Sequence, residues 1–248
     1  MKNRRLIIGL ILFAFALATQ FSVASARRIR KPQTTKFTVR IENISSAEGQ
    51  TAADGSKWPF ALSPGMFVLD KRSGVLFTEG KPARQNGLEG QAEDGNPTGL
   101  INSLEKMHHA AGLHGVYNTP AGAMGPGPIG PGGSYEFSFE ATPGMKLFAA
   151  FMFGQSNDLF YAPDAAGIAL FDAKGNPTSD DVTEKLILWD AGTEVNEELG
   201  VGPNQAPRQK AANTGTDEHG RVRRATDVSL YGKNAELFRV TINAENGM

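Results

Sequence analysis

Cysteine is absent from the 248 residues, which excludes disulfides, thiolate metal centres and a lipoprotein anchor. Histidine is scarce, with four residues, and tryptophan scarcer, with two. Positive charge is in no excess, since 25 Lys and Arg stand against 26 Asp and Glu, whereas a nucleic-acid binder concentrates basic residues on one face or stripe. No apolar run reaches the roughly 20 residues that a membrane-spanning helix needs. Also missing are the G-x-S-x-G elbow of a nucleophilic serine, the alternating Asp ligands of a helix-loop-helix calcium loop and any internal repeat. What remains is a chain long enough to bury a core without disulfide staples.

The amino terminus, MKNRRLIIGLILFAFALATQFSVASA, has the three parts of a secretory signal. It has a basic start, a short apolar run from Leu6 to Ala18, and the small-x-small end Ala24-Ser25-Ala26. A signal peptide over residues 1–26 is expected, with cleavage before Arg27 and no transmembrane anchor afterwards. The Arg4-Arg5 pair also permits a twin-arginine route. Processing removes Lys2, Arg4 and Arg5 and no acid, which leaves an exported chain, periplasmic or extracellular, about four charges negative. A basic tail over residues 27–35 then leads into one domain over residues 36–245.

Twenty-nine glycines and 14 prolines make about 17% of the chain against a usual ~12%, as expected for short strands joined by turns. KFTVRIENI alternates Phe37, Val39 and Ile41 with Thr38, Arg40 and Glu42, the period of a half-buried strand. FALSPGMFVLD predicts a strand broken around Pro64-Gly65, and SYEFSFEA another alternating one. MKLFAAFMF is apolar enough to be buried on both faces. GIALFDAKGNP, EKLILWD and ELFRVTINA complete seven or eight strands. The fold class is therefore all-β, an antiparallel two-sheet sandwich with one short helix and long loops. The helix is capped by Asn96, has Pro97 in its first turn, and carries an apolar stripe of Leu100, Ile101, Leu104 and Met107. Gly125, Gly127 and Gly130 formally match a dinucleotide fingerprint, but they neither follow a strand nor open a helix. Residues 191–226 form a polar stretch without periodicity, long enough to be functional or disordered.

Two strands end on acids. MKLFAAFMF runs through Gly154, Gln155 and Ser156 to Asn157-Asp158, and EKLILW runs into Asp190-Ala-Gly-Thr-Glu194. If these strands lie near each other and run the same way, three carboxylates meet at one end of the sandwich. Ca2+ answers their repulsion, because it takes six to eight oxygens in flexible geometry. Carbonyls, Asn157, Thr193 or water would complete the shell, and zinc, which favours thiolate and imidazole, fits less well. The residues equally support acids that only accept turn amides, as Asp and Asn often do.

The succession FTVRIENIS, PFALSPGMFVL, SYEFSFEATPGMKLFAAFMFGQSNDLFYAP and LWDAGTEVNE resembles the spondin domain of F-spondin, mindin and bacterial secreted proteins, over residues 36–245. The resemblance implies an antiparallel β-sandwich with calcium ligands at Asp158, Asp190 and Glu194. Glu194 stands where that family usually has Asp, and Leu159 where it often has Trp. The implied function is a non-catalytic, calcium-binding adhesion or recognition module with an extracellular or cell-surface ligand, whether protein, glycan or lipid. Two alternatives are a secreted hydrolase using the acid cluster and a calcium-dependent lipid-binding module. His108, His109 and His114 read as a helix C-terminus rather than a metal site, and His219 as a solvated turn. The Asn43-Ile44-Ser45 sequon is a glycan acceptor only in a suitable compartment.

Overall fold

The computed structural model describes residues 34–83, 86–106, 113–226 and 231–245. The expected signal peptide, His108, His109 and Met107 lie outside the described residues. Strand β1 (Thr35–Asn43) buries Phe37, Val39 and Ile41 while Thr38, Arg40 and Glu42 face outward. It pairs antiparallel with β13 (Phe238–Ala244) on one side and β6 (Ser134–Ala141) on the other. The short strand β10 (Asp180–Asp181) extends β13, giving a four-stranded sheet with one wet face. That single wet face is why the period-two pattern is clean here.

The second sheet runs in the order β12 (Arg223–Arg224), β11 (Leu186–Asp190), β8 (Leu159–Pro163), β7 (Lys146–Phe153), β4 (Leu62–Asp70) and β5 (His114–Tyr117), with β9 (Ile168–Ala169) also on β7. A small hairpin joins β2 (Gln50–Thr51) to β3 (Lys57–Trp58). The central strands are apolar almost throughout because both of their faces are covered. Phe151, Phe153, Tyr161 and Leu188 meet Phe37, Ile41 and Phe238 of the first sheet in the main core. Phe148, Ala150, Phe160, Ala162 and Trp189 join a second core on the opposite face. There they meet Leu88 and Ala92 of α1 (Leu88–Asp94) and Leu100 and Leu104 of α2 (Thr98–Lys106). The fold is thus the expected sandwich with a helical layer on one outer face.

Helix α2 begins as its sequence predicts: Asn96 Oδ1 accepts the Thr98 amide at 3.1 Å and the Ile101 amide donates to Pro97 O at 3.0 Å. Two more helices, α1 and α3 (Asn234–Leu237), were not expected. Helix α1 has only seven residues, set between Gly87 and Gly95 in left-handed conformation, too few to display a helical period. The interruption at Pro64-Gly65 is a register shift of β4 against β7. Residues 125–130 are irregular apart from an isolated bridge at Ile129, with Gly127 accepting the Tyr135 hydroxyl at 2.6 Å, so the dinucleotide match has no structural counterpart.

The sequon is corrected by the fold. Asn43 is buried, its Nδ2 donates to the carbonyls of Phe60 (3.0 Å) and Ile129 (3.1 Å), and its Oδ1 accepts from the Ser45 hydroxyl (2.6 Å). A glycan acceptor must offer that same nitrogen to solvent, so Asn43 serves as a tie between strand and loop.

Strands β7 and β11 are each antiparallel to β8, which lies between them. They therefore run the same way, and their acidic ends share one end of the sheet.

Candidate metal centre

After Phe153 the chain turns through Gly154, Gln155, Ser156 and Asn157. The Ser156 hydroxyl closes that turn, donating to Phe153 O at 2.7 Å and accepting the Leu159 amide at 3.1 Å. Asp158 is thereby fixed at the entry of β8, beside Asp190, whose register partner is Leu159. The Ala191 amide donates to Asp158 O at 3.2 Å and locks the two strand ends together.

The turn after Asp190 then wraps around the Asp158 carboxylate. Asp190 Oδ1 accepts the Gly192 amide at 2.8 Å. Gly192, at φ +69°, reverses the chain so that the amides of Thr193 (2.7 Å) and Glu194 (3.2 Å) and the Thr193 hydroxyl (3.2 Å) all reach Asp158 Oδ2. The other oxygen, Asp158 Oδ1, is buried and has no hydrogen-bond partner. A Cβ on Gly192 would lie 2.5 Å from Arg221 N and 2.7 Å from Arg221 O. Gly192→Ala is therefore expected to cost more than the ~1 kcal/mol scale of a tolerated glycine change, read as a lower denaturant midpoint at unchanged slope.

The polar stretch 191–226 is ordered by its own side chains. Buried Gln205 accepts the Gly200 amide at 3.0 Å and donates to Glu198 O at 2.8 Å, while Arg208 reaches Gln155 Oε1 at 2.9 Å. The loop returns along the acid turn, where the Glu218 amide donates to Thr193 O at 3.0 Å and the Gly220 amide to Gly192 O at 2.7 Å. This delivers a third carboxylate. Ligand atoms of Asp158, Asp190 and Glu218 all lie within 4.8 Å of one another.

Glu194 is buried in the same turn but points elsewhere: Oε1 accepts the Gly215 amide at 2.9 Å and Oε2 accepts Asn157 Nδ2 at 3.3 Å. Of the three acids expected at the site, the structure brings Asp158 and Asp190 together and sets Glu194 beside them as a loop tie. Among the described residues no histidine joins a metal-compatible group. His114 lies on β5 opposite Val68, and His219 is an exposed turn residue at φ +54° whose amide donates to Asp217.

Two acids were not anticipated. Glu218 was hidden in TDEHGRVRR, which reads as a solvated turn until the loop folds back. Glu93 sits on the buried side of α1, 2% exposed, and neither of its carboxylate oxygens has a hydrogen-bond partner. Burial pushes Glu93 up to about 8; the nearby Thr193 side chain opposes this and the charges of Glu194, Glu89 and Asp158 add to it. Asp158 is pushed up to about 7, first by burial and then by Asp190, against the three donors on its Oδ2. Burial also raises Asp190 and Glu194.

The donor set is all oxygen, which suits a hard cation rather than a thiophilic one. No protein-family model matches the chain, and a search of curated proteins gives no significant match.

Proposed function

We propose that this protein is a calcium-binding, non-catalytic β-sandwich module of spondin type, exported and acting in adhesion or recognition. One observation carries the reading: Asp158, wholly buried, keeps one carboxylate oxygen, Oδ1, without a donor, and its carboxylate belongs to a trio with Asp190 and Glu218 whose ligand atoms lie within 4.8 Å of one another. A buried acceptor left unpaired is costly. A hard cation satisfies it and neutralises its neighbours in one step. Calcium suits a loop-built site better than magnesium, which demands a near-ideal octahedron. The likeness of WDAGT and its flanking strands to the spondin domain supports the roles of Asp158 and Asp190. In the proposal Glu218 is the third carboxylate, and Glu194 holds the turn.

The hydrolase alternative has less support. A cavity of about 190 Å³ adjoins the acid turn, lined by Pro82, Ala83, Gly192, Thr193, His219 and Gly220. Its one lining side chain suited to acid–base work is the exposed His219, and the acids of the trio do not line it.

Asp190→Asn separates ligation from turn-making. Asparagine keeps an oxygen for the Gly192 amide, so the chelated protein should remain folded by circular dichroism. Calcium binding by calorimetry should weaken at least ~10-fold, about 1.4 kcal/mol. An unchanged calcium isotherm would sink the site.

A further inference from the structure

We infer that Arg223 is the resident cation of the acid trio, and that a divalent ion enters by displacing it and so loosens the β12 edge of the sheet. This rests on the cation-binding reading above and adds how the site is gated.

The atoms compete directly. One guanidinium nitrogen, Arg223 Nη2, stands 2.8 Å from Asp190 Oδ2, 2.8 Å from Glu218 Oε1 and 3.0 Å from Glu218 Oε2. Asp190 Oδ2 also accepts Asn196 Nδ2 at 2.8 Å, so both of its lone pairs are taken. An ion that draws on Asp190 Oδ2 and Glu218 thus meets a place already filled by positive charge. The two cations repel at such range, and one must leave.

Arg223 is the group most free to leave. Its side chain is 41% exposed, against 28% for Glu218 and 6% for Asp190, and Asp158 is wholly buried. Withdrawal returns a guanidinium to water at little desolvation cost. The unfilled trio, meanwhile, is never a bare set of three like charges, because Arg223 offsets one of them. This explains how the sheet end can close without a metal.

Displacement has a consequence for the fold. Strand β12 is two residues long and pairs Asp190 with Arg223 and Trp189 with Arg224. It is further tied by the Ala225 amide on Leu188 O at 3.0 Å and by the Arg224 guanidinium 5.1 Å above the Trp189 ring. Removing the Arg223 ion pairs takes away one of the ties of this short attachment and leaves the backbone pairing and the Arg224–Trp189 contact to hold it. Ion binding then loosens β12 on the edge of β11.

The test is calorimetric titration of calcium chloride into the chelator-stripped full chain. Arg223→Gln removes the competing charge and should bind calcium ~10-fold tighter or more, since the competent state no longer has to be vacated. Arg223→Lys, with charge but no fork, should fall between. A glutamine variant that binds equally or more weakly overturns the inference while leaving the cation site standing. No binding by either chain overturns the cation reading itself. In the unmutated chain, hydrogen exchange at the Ala225 amide should accelerate when calcium is added, a readout that does not depend on any variant folding. Slower or unchanged exchange there overturns the inference.

Discussion

Calcium is expected to raise the melting temperature of this protein by about 5–10 °C at a hundredfold excess over Kd, and to raise it more at alkaline than at acidic pH. An ion that binds only the folded state adds RT ln(1 + [L]/Kd), about 2.7 kcal/mol at that excess, and a chain of this size gains roughly 2–4 °C per kcal/mol. The pH dependence follows from the raised carboxyls, Asp158 and Glu93 foremost. In the folded protein Asp158 titrates near 7 and Glu93 near 8, both above their ordinary values of 3.8 and 4.5. Between the ordinary values and those raised ones the folded state holds more protons than the unfolded state. Stability of the cation-free protein therefore falls as pH rises across that window. Calcium needs the ionised ligands that protons occupy, so its stabilising effect is small at the acid end of the window and grows towards its upper end. Differential scanning calorimetry in chelator and in calcium across the window measures both trends. Parallel curves, or a chelated protein that gains stability with pH, would contradict the assignment.

Much of this arrangement is legible in the sequence, and the reason is periodicity. β1 and β6 each have one wet face, so alternation along Phe37, Val39 and Ile41 and along Tyr135, Phe137 and Phe139 marks them. β7 and β11 are covered on both faces and show as apolar blocks. Asp158 and Asp190 were visible because each follows such a block, at the point where a buried strand must turn. The third carboxylate of the trio was not. Glu194 is the nearer acid in sequence, yet the left-handed turn at Gly192 directs its carboxylate to Asn157 and Gly215. Glu218 reaches the site only because residues 217–220 fold back on residues 192–194 through backbone hydrogen bonds, which no local pattern encodes. Glu93 was hidden for a different reason. Nothing in a seven-residue helix says which side a second layer will cover, so its burial is a tertiary fact. The same holds for Asn43, where the sequon pattern is local but the burial of its amide depends on Phe60 and Ile129 from distant segments.

Asp158 is where turn-making and ligation separate most sharply, because its two oxygens have different duties. Oδ2 gathers the Thr193 and Glu194 amides and the Thr193 hydroxyl, and Oδ1 has no donor. Asp158→Ala strands three buried donors at about 1–3 kcal/mol each, partly relieved by relaxation, so a net loss of about 3–5 kcal/mol is expected in urea melts with or without calcium. Asp158→Asn keeps an acceptor oxygen for those donors and removes a buried charge that burial and Asp190 both disfavour. In chelator it should match or exceed the unmutated protein in stability, most clearly above pH 7, where the unmutated carboxylate is ionised. Its new Nδ2 donors repel a cation at the very position of Oδ1, so calcium should then add nothing to its melting temperature. The pair of variants gives opposite signatures: alanine loses the fold's turn, and asparagine loses only the ion. If asparagine proves as destabilising as alanine in chelator, the buried charge itself supports the turn. If asparagine instead retains the full calcium shift, the ion is held by other residues.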